Sequence, residues 1–150
     1  MRILVLGLGN PLLTDDSIGL HVAEELKSRL DSPEVTVESS SLAGLDLLEL
    51  LSSYDKAIII DAIQTEEGKA GQIYRLEAGD FSRTQHAATP HDVDFATALE
   101  LGKRLDLPLP CDIVIFAIEA ADITTFSEEC TPELKEAIPR CLDLIMPELK

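Results

Sequence analysis

The sequence predicts an α/β fold of three layers, α/β/α, around a mostly parallel sheet of about five strands, with one edge strand antiparallel. Three observations predict it. Short unbroken apolar runs, KAIIIDAI at 56–63 above all, read as strands buried on both faces. Between them lie stretches whose apolar residues recur at helical spacing, so strand and helix alternate along the chain as parallel crossovers require. One further stretch, GQIYRLEA at 71–78, alternates with period two, which suits a half-exposed strand at a sheet edge. A length of 150 residues suits one domain, 1–150.

Taken in order, RILVLG at 2–7 is a buried strand ending in glycine. From about Asp16 to Leu30, the positions Ile18, Val22, Leu26 and Leu30 stack at four-residue spacing on one helix face. VTVESS at 35–40 is the second strand and LAGLDLLELL at 42–51 the second helix. The strand at 56–63 ends at Asp61, and Gly68 and Gly71 bracket the turn before the edge strand. Residues 79–90 are polar and irregular and contain His86. Pro90 opens a helix to about 105, DIVIFAIEA at 112–120 is another buried strand, and Thr131-Pro132 caps a last helix ending near Met146.

Charge narrows the function. The chain carries 28 acidic and 12 basic residues, a net charge of −16. Such a field repels phosphate backbones and anionic lipid, which argues against nucleic-acid and membrane-surface partners and is compatible with metal ions. No window approaches the apolar length of a membrane span. The opening MRILVLGLG has the charge and apolar run of a signal peptide, but Asn10, Pro11, Asp15 and Asp16 follow without a small-residue cleavage site. Cys111, Cys130 and Cys141 form no C-x-x-C motif and leave an odd thiol, which fits a reducing cytoplasm. Each reads as a core or rim residue rather than a nucleophile.

Open α/β sheets bind ligands at the carboxyl ends of their strands. Asp16 follows strand one through a short loop, Asp61 closes the central strand, and His91 starts the helix after the irregular loop. Two carboxylates and an imidazole form a donor set for a borderline divalent ion with positions left for water or substrate. With Thr89 as cap, Pro90 first in the helix and Asp92 at its third position, His91 stands at a helix N-terminus that disfavours its protonated form. Each also has a plainer reading: Asp15 and Asp16 as helix caps with Thr14, His91 as an ordinary helix-start residue. Asp61 is harder to explain away, because a charge at a buried strand end must be paired, hydrogen-bonded or metal-bound. His21 lies on the first helix, and His86 has no element to position it.

Two other classes share part of this layout. A dinucleotide-binding domain would use Gly7-x-Gly9 after the strand and an acid such as Glu38, but Leu12 stands where its third glycine belongs and Pro11 interrupts the turn. A phospho-receiver would use Asp15, Asp16 and Asp61, but the acidic pair comes late after the strand and IVIFAIEA supplies no lysine.

Gly7-x-Gly9-Asn10, then Asp15-Asp16, then Gly19, followed by Asp61-Ala62, Pro90-His91 and Thr131-Pro132, run in the order found in one known family. In these motifs the sequence resembles the nickel–iron hydrogenase maturation proteases along nearly its whole length. It departs at Ser17, where many members have glycine, and at Glu119-Ala120, where some carry proline. The resemblance implies a cytoplasmic endopeptidase, metal-dependent or aspartic in type, that clips a C-terminal extension from the hydrogenase large-subunit precursor after nickel insertion. It implies Asp16, Asp61 and His91 as metal-contacting and catalytic positions, supported by the loop residues Gly7, Gly9, Asn10, Asp15 and Gly19. It also implies that the substrate brings the nickel, and that other divalent metals can occupy the site in vitro.

Overall fold

Strand β1, Ile3–Leu8, is buried at all six positions because the sheet is covered on both faces. The computed structural model describes residues 1–41, 45–77 and 99–149. After β1 come a 3-10 turn at Thr14–Ser17, helix α1 at Ile18–Arg29, β2 at Val35–Ser40, α2 at Leu45–Leu51, β3 at Lys56–Ile63 and β4 at Ile73–Glu77. Residues 99–104 are helical; β5 at Asp112–Glu119, helix α3 at Pro132–Ile145 and a closing 3-10 turn at Met146–Leu149 follow. The five strands lie in the order β2-β1-β3-β5-β4. All pairings are parallel except β4 with β5, which is antiparallel, so the edge strand predicted by its alternation takes its place beside β5.

Strand alternation sorts the core into two halves. Ile3, Val5, Ile58, Ile60, Val114, Phe116 and Ile118 pack with Ile18, Val22 and Leu26 of α1 and Leu134, Ala137, Cys141 and Ile145 of α3. Their neighbours Leu4, Leu6, Leu8, Ala57, Ile59, Ile113 and Ile115 pack instead with Leu47, Leu48 and Leu51 of α2 and with Leu99. That gives the three layers. Each fully buried aliphatic side chain contributes roughly 1.5–3 kcal/mol, so the core needs no staple. All three cysteines are free thiols, Cys111 exposed and the other two buried. No helix among the described residues is long and apolar enough to cross a membrane.

Some sequence expectations shift. The strand containing Asp61 does not end there: β3 continues to Ile63, and Asp61 pairs with Ala117 of β5. The first helix is preceded by a separate 3-10 turn that holds both acids. Leu30 is its extended C-cap and only partly buried. The helix expected from 42 is seen from 45, and the helical start at Pro90 and His91, with His86, lies outside the described residues.

At the amino ends of the strands, Glu148 ties the last turn to the sheet. Its carboxylate accepts from Lys56 Nζ at 3.0 Å and from Arg75 at 2.8 and 3.0 Å. Burial opposes its ionisation, but the bonds from Lys56 and Arg75 outweigh that and hold its pKa below the ordinary 4.5. A depressed carboxylate pKa adds stability that is complete above the unfolded value and lost as pH falls through the folded one. Glu148→Gln is therefore expected to cost about 1 kcal/mol at pH 7. Urea melts should show the gap between variant and wild type closing as pH falls below 4.5. A gap unchanged at pH 3 would remove Glu148 from the acid response.

Candidate active site

Three glycines let the start of α1 lie directly on backbone. A Cβ on Gly7 would overlap the carbonyl of Gly19 and come within 2.8 Å of Ala23 Cβ. One on Gly19 would overlap the carbonyls of Ile60 and Leu8 and sit 2.9 Å from the Leu8 nitrogen, and one on Gly9 would overlap the carbonyl of Asp16. Side chains of any size at these positions would hold the helix off the sheet. Their absence brings the turn at Thr14–Ser17 against the carboxyl end of β3.

This packing brings Asp16 and Asp61 to one edge of the sheet. Asp16 is 4% exposed, and its Oδ2 accepts the Asn10 N–H at 3.0 Å. Asn10 in turn turns the loop, its Oδ1 accepting the Leu12 N–H at 3.0 Å. Asp61 is 1% exposed, its Oδ1 accepting the N–H of Ala62 at 2.8 Å. Asp61 shares the strand parity of Ala57 and Ile59, which belong to the core half under α2. His91 lies outside the described residues; among those described, no three His, Cys, Asp or Glu side chains gather as a metal cluster.

Asp15 does something else. Neither acid caps a helix, since no side-chain cap bond forms at Leu13 or Ser17. Instead the fully buried Asp15 carboxylate takes the N–H groups of Ala121 and Asp122 on Oδ2, at 2.8 and 3.0 Å, and that of Thr131 on Oδ1 at 2.7 Å. The Thr131 hydroxyl also turns to Asp15, at 2.9 Å from Oδ2, so Thr131 occupies the N-cap position of α3 without making its cap bond. Thr14 is drawn into the same contact: its N–H donates to Ser127 O at 3.0 Å and its hydroxyl to Thr125 O. Thr14 has φ 46°, a left-handed conformation that costs a β-branched residue roughly 1–3 kcal/mol.

The loop it meets is itself ordered by Asp122. That carboxyl is held at about 2 by the Thr125 hydroxyl and the amides of Thr124 and Thr125. Two groups here were not legible as part of the edge. Glu119, 2% exposed, accepts from Thr65 N–H at 2.8 Å, Thr65 Oγ1 at 2.6 Å and Tyr74 OH at 3.0 Å, tying the segment after β3 to β5 and β4. Its signal was a glutamate closing an otherwise apolar strand. Thr131 is the other, hidden behind its ordinary role as a cap.

The remaining candidates stand apart. His21 lines a groove of about 510 Å³ with Pro11, Leu20, Glu24 and Glu128. Burial pushes the Cys141 thiol up to about 12 and raises that of Cys130, which leaves both protonated and unreactive at neutral pH.

The fold and this edge define an open α/β protein with buried acids where such sheets bind their ligands. The chain belongs to the hydrogenase maturation protease family (HycI), whose model matches residues 20–148. It is 36% identical over 101 residues to the hydrogenase 2 maturation protease of Escherichia coli, a match covering 66% of this chain and 62% of that protein's length. It is 28% identical over 146 residues to the hydrogenase expression/formation protein HupD of Bradyrhizobium diazoefficiens, covering 95% of this chain and 75% of that one. Among solved structures, the hydrogenase maturating endopeptidase HybD from E. coli superposes with a TM-score of 0.86 at 27% identity, covering 99% of this chain and 92% of that one.

Proposed function

We propose that this protein is an endopeptidase that removes the C-terminal extension of a nickel-loaded nickel–iron hydrogenase large-subunit precursor, with Asp16, Asp61 and His91 as its working residues. The observation that carries the reading is the burial of Asp16 and Asp61 at one carboxyl edge in a chain of this family. Neither a phospho-receiver nor a dinucleotide site gains support from that family membership. Free thiols at all three cysteines suit action in a reducing cytoplasm.

Nickel belongs to the substrate in this scheme. The two carboxylates and the His91 imidazole offer it only a partial shell, so the chain alone holds metal weakly and a precursor presenting nickel on its own thiolates completes the coordination. The same residues thereby seat the scissile peptide beside a carboxylate. That carboxylate takes a proton from the attacking water as its oxygen bonds the carbonyl carbon, then returns it to the amide nitrogen as the C–N bond breaks. Water is consumed and two chain ends are released.

The test compares precursors. Incubated with nickel-loaded and nickel-free large subunit, the protein is expected to shorten only the loaded form, read as a loss of C-terminal mass. Equal cleavage of both forms would overturn the recognition role of the metal, and cleavage of neither would overturn the protease reading.

A further inference from the structure

The two adjacent acids of the first turn divide their labour. A carboxylate offers about four acceptor sites, and those of Asp15 are taken by Ala121 N–H, Asp122 N–H, Thr131 N–H and the Thr131 hydroxyl. With no exposed surface and those bonds made, Asp15 is in no position to ligate a metal or take a substrate proton. Its main-chain N–H also donates to Asp122 O at 2.9 Å, so side chain and backbone grip the same loop.

That grip bears on Asp16. The turn is four residues long, and Thr14 and Asp15 are fixed to residues 121–131 while Asp16 N–H is fixed to Leu13 O at 2.9 Å. Ser17 Oγ closes the turn on Thr14 O at 2.6 Å. Little freedom is left to the residue between them. We propose that Asp15 is a positioning residue for the protease reaction: by clamping the β5–α3 loop and the start of α3 to the first turn, it sets the direction in which Asp16 presents its carboxylate. This rests on the function proposed above.

An asparagine at 15 would aim its NH2 at one of the N–H donors and break the clamp, whereas Thr131→Val removes only the hydroxyl arm at constant shape. Asp15→Asn is expected to lower kcat for precursor cleavage about tenfold or more, with KM within about threefold, in protein that still melts cooperatively. Thr131→Val should lower kcat by a smaller factor, Thr131→Ser should restore it, and the double variant should be no worse than Asp15→Asn alone. A second readout needs no activity: the Asn10 amide, bonded to Asp16 Oδ2, should shift in nitrogen–proton NMR spectra of Asp15→Asn and of Thr131→Val. Lowered melting temperature with wild-type kcat and an unmoved Asn10 resonance would overturn the proposal, as would a rise in KM alone or fully additive losses. If Asp15→Asn does not fold, Thr131→Val decides by the same readouts. If the wild-type chain cleaves no precursor, the function proposed above fails, and the Asn10 resonance still decides the clamp.

Discussion

Asp61→Asn is expected to slow precursor cleavage by about 10³-fold while leaving the fold in place, within the range lost when a positioned acid–base group is removed. The variant is informative because asparagine preserves shape. Its side-chain oxygen can still accept the Ala62 N–H now held at 2.8 Å, and the flanking Ile60 and Ala62 remain in their core half. What disappears is the negative charge, with its ability to draw in a cation or store a proton. Circular dichroism and thermal melting would control for folding, and the rate of appearance of the shortened subunit would be followed by mass. A rate within threefold of wild type would exclude Asp61 from the chemistry and leave Asp16 to carry it among the two acids proposed above.

The second large effect is on stability. Gly19→Ala places a methyl group against the carbonyls of Ile60 and Leu8 and 2.9 Å from the Leu8 nitrogen. Overpacking costs about 1–3 kcal/mol even where side chains can yield. Here every neighbour is backbone of a central strand, so the cost stands at the upper end, about 3 kcal/mol. Alanine's better helix propensity returns at most about 1 kcal/mol. The clash wins, and a net loss of about 2 kcal/mol should lower the melting temperature by roughly 4–8 °C. A variant that melts at or above the wild-type temperature would show that α1 can lift from the sheet freely, and that the glycine is not there for close approach.

How much of this was legible follows from where the partners lie. The strand at 35–40 was read with the bounds it has, because a β-branched or apolar run between turn residues carries its own limits. The antiparallel edge showed in the alternation of Ile73–Glu77, but its place beside β5 did not, since neighbour order is set by crossovers rather than by local pattern. Asp61 was read as a strand end because charge usually terminates a buried run, whereas two further apolar residues continue the pairing to Ile63↔Glu119. Asp15 and Asp16 looked alike on the page. Their difference lies in bonding partners: Asn10 is six residues from Asp16, while Ala121 and Thr131 lie 106 and 116 residues from Asp15. No local motif can report a bond over that distance, and the same holds for Glu119 and Thr65.

The order of the sheet also bears on how the chain is made. β1, β2 and β3 are complete by residue 63, yet the other side of β3 finds its partner only when residues 112–119 have been synthesised. Until then an isoleucine-rich strand offers one open row of amides and carbonyls, a template for joining with other chains. That open row closes only when Asp112–Glu119 pairs with it, so the growing chain is most exposed to joining with other chains over the intervening stretch.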